Sequence, residues 1–173
     1  MLSTQIPLDA ALIVFVLSVA LIDWHTHRIP NALCAVAAAL GLVSQLWLHG
    51  EAGLLSALGG AAVGFGMFLP FYIVRAFGAG DVKAMATVGI FLGASGTALA
   101  VGMTLIAGGV IGALVLWLRP APSTRHRLIG LLAAPISSVR NYRQDPASHS
   151  SQRFPYGIAI ACGTAVTLLV LAH

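Results

Sequence analysis

Five residues of this chain carry an acidic side chain: Asp9, Asp23, Glu51, Asp81 and Asp145. Three fall where water is expected. Asp9 is at the outer end of the first apolar stretch, Glu51 lies between two stretches, and Asp145 is in a long polar segment. Asp23 and Asp81 each abut an apolar run, and an ionisable group at the margin of a membrane is costly enough to point to function. Two carboxylates brought together can share one proton. The ionised one then takes a proton from water while the neutral one polarises a carbonyl, which is the chemistry of amide hydrolysis.

Each acid also has a plain structural reading. Asp23 closes an apolar helix in Leu21-Ile22-Asp23-Trp24-His25-Thr26-His27-Arg28-Ile29-Pro30-Asn31, where it can pair with Arg28 at the membrane edge. Pro30 suits the first turn of the next helix, and Asn31 can bond to orphan backbone groups there. Asp81, in Phe77-Gly78-Ala79-Gly80-Asp81-Val82-Lys83, can cap the helix it opens. Gly78 and Gly80 permit positive φ and close approach of another chain. Arg28 and Lys83 each lie near one acid and are expected to help hold it ionised. The pair says more than either member. The acids come from different helices at one depth, one at a helix C-terminus and one at an N-terminus, so the helix dipoles treat their charges oppositely.

Other chemistry is thin. Cys34 and Cys162 fall within apolar stretches and read as small hydrophobes. His25 and His27 have one acid nearby and read as interfacial polar groups. His49, His126, His149 and His173 are scattered, and no serine has a histidine at matching depth. No metal and no cofactor is expected.

Composition decides what positions these residues. The chain has 173 residues, 58% of them hydrophobic and 8% charged, with a net charge of +4 and a mean hydropathy of +0.93. A soluble domain carries about 25% charged residues, so the surface of a water-soluble globule cannot be covered. Disorder is excluded by the hydrophobicity, and a disulfide scaffold by the two cysteines. The class is an all-α polytopic membrane protein, read as a single transmembrane domain over residues 1–173.

A crossing needs roughly 20 apolar residues, and six stretches serve: Ile6–Ile22, Pro30–Leu48, Leu54–Val74, Val82–Leu92, Thr97–Leu118 and Tyr156–Ala172. Ala84–Leu118 holds no charge and would make about 52 Å of helix. That is too long for one crossing, so a break is expected within Gly93-Ala94-Ser95-Gly96. The fourth span is then short and would leave Asp81 in a water-accessible notch beside Val82. The first span is not read as a cleavable signal, because Met1–Pro7 has no Lys or Arg.

Six crossings put the connections after spans 1, 3 and 5 on one side. These hold Arg28, Arg75, Lys83, Arg119, Arg125, Arg127, Arg140, Arg143 and Arg153, all nine basic residues. The positive-inside rule makes that side cytoplasmic, with both termini opposite. The basic residues therefore mark topology, and the expected partner is the lipid bilayer, not nucleic acid. The long loop 119–154 carries Leu128-Ile129-Gly130-Leu131-Leu132 between arginines, which suits either a headgroup-region segment or a solvated loop packed on the bundle.

Three strings now combine: Asp23 followed by Ile29-Pro30-Asn31, then Gly78-Ala79-Gly80-Asp81-Val82-Lys83, then Pro155-Tyr156-Gly157-Ile158-Ala159. In order and spacing the chain resembles bacterial prepilin peptidases, most closely the short form associated with Flp/Tad pili. The resemblance covers nearly the whole chain. It implies an aspartic endopeptidase of the cytoplasmic membrane that cuts the short basic leader from prepilins or pseudopilins at the cytoplasmic face, with Asp23 and Asp81 catalytic. Larger members carry an N-terminal domain with a cysteine cluster and methylate the new N-terminus. Here neither cysteine stands in a CxxC pattern, which removes the basis for expecting methylation or a zinc site.

Three other readings compete. A presenilin-like protease shares Gly-x-Gly-Asp but has a Pro-Ala-Leu string where this chain has Pro155-Tyr156-Gly157. A proton-coupled transporter would place its acids near the midplane of an inverted repeat. An assembly subunit would use Asp23 and Asp81 only as helix-end groups.

Overall fold

A computed structural model of the chain describes residues 2–26, 29–74, 76–118 and 156–172. The described residues are helical, in the order α1 (Leu2–Thr26), α2 (Asn31–Ile73), α3 (Ala79–Leu118) and α4 (Tyr156–Ala172). Three of these helices are long and apolar enough to cross a membrane, and the 17-residue α4 is a shorter apolar helix. Met1–Gly108 and Pro155–His173 form one compact unit, and Gly109–Phe154 a second. Of the second, only the helical continuation of α3 is described, so the expectations for the loop 119–154 lie outside the described residues, as does Arg28.

Four helices stand where six spans were expected, because two of them run through a break. Gly50 in α2 has φ 62° and ψ −148°, and Gly93 in α3 has φ 68° and ψ −179°. Positive φ with such ψ is nearly closed to residues with a Cβ. The breaks reverse the chain. Along residues 31–49, Asn31 meets Lys83, Cys34 meets Thr87 and Gln45 meets Ile90 and Phe91, so this segment runs with α3. Along residues 51–73, a Cβ on Gly64 would strike Met85, and one on Gly60 would strike Gly89, so this segment runs against α3. In α3, Thr97 Oγ1 lies 3.5 Å from Gly89 O. Eight residues of straight helix would separate these atoms by about 12 Å. Beyond Gly93 the chain returns along α4, with Thr104 against Gly163 and Gly108 against Tyr156.

A helix break inside a membrane leaves carbonyls without partners, and each must be satisfied by protein. At Gly93 side chains do this. Gln45 Nε2 donates to Ile90 O at 3.3 Å and Phe91 O at 3.2 Å, and Thr97 Oγ1 donates to Gly93 O at 2.5 Å. Gln45 is buried, with His49 Nδ1 against its Oε1 at 3.0 Å.

The core gathers Leu12, Phe15, Val16 and Val19 of α1, Cys34 and Phe68 of α2, Val82, Met85 and Val88 of α3, and Ile160 of α4. Phe68, Phe71, Phe77 and Tyr156 form a chain of ring contacts at one end of it. Each such pair contributes about 0.5–1.5 kcal/mol beyond burial.

Candidate functional site

Asp23 stands one turn inside the C-terminal end of α1, which runs on to Thr26, not at the last residue as the sequence suggests. Its side chain is 6% exposed. The backbone N–H of Gly157, in the first turn of α4, donates to Asp23 Oδ2 at 2.7 Å. Only glycine fits this approach. A Cβ at position 157 would stand 2.8 Å from Asp23 Cβ and 3.0 Å from its Oδ2.

Asp81 is 9% exposed and lies in the first turn of α3. It is not the cap residue expected from the sequence. Asp81 N–H and Val82 N–H both donate to Gly78 O, which puts Gly78 at the cap. Asp81 reaches back instead, its Oδ2 accepting the Gly78 N–H at 2.8 Å. This is the half of a capping box in which the acid three residues in serves the cap N–H.

Both acids lie near the N-terminus of α4. Phe77 packs against Tyr156 with ring centroids 4.2 Å apart and the ring planes tilted by 48°. The residue following each ring, Gly78 or Gly157, supplies the N–H that holds one carboxylate. Asp23 is close enough for its charge to be felt at Asp81. Each acid thus has its Oδ2 bonded to a backbone N–H. Two buried carboxylates within electrostatic reach, fixed by main-chain donors, can divide one proton between them and work on a water and a carbonyl.

The supporting residues divide. Gly78 and Gly80 do not have the positive φ expected of them; among the described residues that conformation occurs at Gly50 and Gly93. What Gly80 provides is space, since a Cβ there would come within 3.0 Å of Ile29 Cβ. Pro30 is the residue before α2, with φ −65° and ψ 131°. Asn31 Oδ1 accepts from Lys83 Nζ at 2.8 Å, a side-chain partner where a backbone one was expected. Lys83 therefore ties α3 to α2 on the exposed surface, and side chains two apart on a helix, such as Asp81 and Lys83, do not face each other. Val82 is 3% exposed and belongs to the core, not to a notch. The exposed backbone beside Asp81 is Gly78 and Ala79. Gly157 and the ring pair are not among the site residues expected from the sequence, although Tyr156 and Gly157 stand in the third sequence string. Among the described residues no three His, Cys, Asp or Glu side chains gather as a metal site would require.

An all-helical membrane protein with two buried acids at one helix end defines the class. The chain belongs to the type IV leader peptidase family, whose model matches residues 10–118 and so includes both Asp23 and Asp81. No curated protein and no solved structure shows a match to it. Membership makes it a peptidase of the leader-peptidase type.

Proposed function

We propose that the protein is an aspartic endopeptidase of the bacterial cytoplasmic membrane that removes the short basic leader from prepilins or pseudopilins at the cytoplasmic face. The observation that carries this is the convergence of Asp23 and Asp81, both buried and each held by a backbone N–H, at the N-terminus of α4. In the proposed reaction the ionised acid accepts a proton from water, the hydroxyl oxygen attacks the scissile carbonyl carbon, and the other acid donates to the carbonyl oxygen. Collapse of the tetrahedral intermediate breaks the C–N bond as the amine takes up a proton.

Six crossings are proposed, two of them created by the reversals at Gly50 and Gly93. Exposed Trp24 beside the acids and exposed Trp47 beside Gly50 suit the two membrane interfaces. The clustering of all basic residues after the first, third and fifth segments supports a cytoplasmic site. The test is co-expression with small prepilins of the source genome, scored by the mobility shift of the processed form. A shift with the native chain that is lost in Asp23→Asn and Asp81→Asn supports the proposal. Unprocessed prepilins beside abundant native enzyme sink it.

A further inference from the structure

The site described above contains a feature that neither acid explains. Two aromatic-glycine pairs, Phe77-Gly78 and Tyr156-Gly157, lie ring against ring, and each glycine N–H holds one acid. The two pairs come from different parts of the chain: the short link before α3 and the first turn of α4. Nothing covalent fixes one relative to the other. The acids themselves carry like charge when ionised and cannot draw these segments together.

We infer that Phe77 and Tyr156 are positioning residues: their ring contact sets the spacing of Gly78 and Gly157, and through those two N–H groups the spacing of Asp81 and Asp23. The link is short at every step. Phe77 is buried at 9% exposure, stacks on Phe71 with centroids 4.9 Å apart, and meets Phe68 in a tilted contact at the same distance. Phe68 and Phe71 lie in the last two turns of α2, so the ring contacts anchor Phe77 on a helix. Ala76 and Phe77 N–H groups both donate to Phe71 O, which fixes the direction in which the Phe77 ring leaves the backbone. One residue later the chain presents Gly78 N–H to Asp81 Oδ2. Across the ring contact, Tyr156 opens α4 and the next N–H goes to Asp23 Oδ2. A carboxylate pair that shares a proton tolerates little change in separation, and misplacement by about 1 Å can cost a hundredfold in rate. A ring contact is suited to hold such a distance, because a buried aromatic has few rotamers and a defined stacking geometry.

The inference rests on the peptidase reading only for its consequence, so the experiment has two arms. In the first, cleavage of a co-expressed prepilin is timed for Phe77→Leu, Tyr156→Leu and the double variant, with Phe77→Tyr as the conservative replacement. Leucine keeps burial but loses the ring. Each leucine variant is expected to slow cleavage about tenfold to a hundredfold, the double variant to lose no more than either single one, and Phe77→Tyr to stay within about threefold of the native rate. Independent structural damage would instead make the two losses multiply. In the second arm, spin labels on exposed Cys162 and on Ala79→Cys, with buried Cys34→Ala, report the distance between α4 and the start of α3. A narrow distribution that broadens in Phe77→Leu and stays narrow in Phe77→Tyr supports the inference even if no prepilin is cut. An unchanged distribution in Phe77→Leu, or multiplying losses in the first arm, overturns it while leaving the peptidase reading intact.

Discussion

Gly157 donates its backbone N–H to Asp23 Oδ2 at 2.7 Å across a separation of 134 residues. This bond joins the end of α1 to the start of α4 and orients one carboxyl of the pair. It also makes position 157 intolerant, because the space a Cβ would need is taken by the acid itself.

Gly157→Ala is therefore expected to slow prepilin cleavage by about a hundredfold, with the protein still inserted at near-native abundance. Gly78→Ala should be milder, because its Cβ would approach no closer than 3.3 Å to Asp81 Oδ2 and 3.9 Å to Gly80 N. Processing time courses of the two variants, normalised to membrane protein level, check the ranking. Equal losses would contradict it.

Asp23→Asn and Asp81→Asn are each expected to abolish processing. An asparagine keeps an oxygen that accepts from Gly157 or Gly78 but cannot take or give the proton. Abundance should change little, since desolvating a neutral amide costs less than desolvating a carboxylate. Immunoblots of enzyme and substrate from one culture measure both quantities, and wild-type processing by either variant removes that acid from the mechanism.

Gly80→Ala should slow cleavage through crowding of Ile29, and the double variant Gly80→Ala with Ile29→Ala should recover most of the native rate. The 3.0 Å approach to Ile29 Cβ is the basis. Failure of the second substitution to restore activity would assign Gly80 a role other than clearance.

Lys83→Ala is expected to reduce turnover by less than about fivefold, the range of an exposed polar link, and to leave the effect of Asn31→Ala unable to add to it. The Lys83–Asn31 bond at 2.8 Å motivates this. A loss as severe as that of Asp81→Asn would give Lys83 a direct part in the chemistry.

Gln45→Leu is expected to destabilise the protein by about 1–3 kcal/mol, because it strips the donor from Ile90 O and Phe91 O. Thermal unfolding in detergent reads the change, and cleavage per folded molecule should stay within about twofold of native. Unchanged unfolding would mean that another donor takes over at the break.

The helical class and the two acids were legible because charge is so scarce that each carboxylate near an apolar run stands out. The break in Ala84–Leu118 was legible from length alone, and it falls at Gly93. The reversal at Gly50 lies in the connection drawn between Leu48 and Leu54, although helix continues on both sides of it. Contacts between distant segments were not legible. Lys83 reads as the neighbour of Asp81 by position, yet its partner is Asn31 of another helix. Gln45 is not singled out by the sequence, and its purpose shows only in its bonds to the carbonyls of Ile90 and Phe91 beside the break at Gly93. Gly78 and Gly80 look like turn glycines in composition, whereas α3 already begins at Ala79 and uses ordinary helical geometry there.

In the proposed six-crossing arrangement, the reversal at Gly93 leaves residues 79–92, a segment of about 21 Å, to cross a hydrocarbon layer of about 30 Å. Such hydrophobic mismatch is relieved by local thinning of the lipid around the short segment. Thickness thereby becomes a variable of the enzyme's surroundings: lipids with longer acyl chains would strain the segment that carries Asp81, and those with shorter chains would relax it.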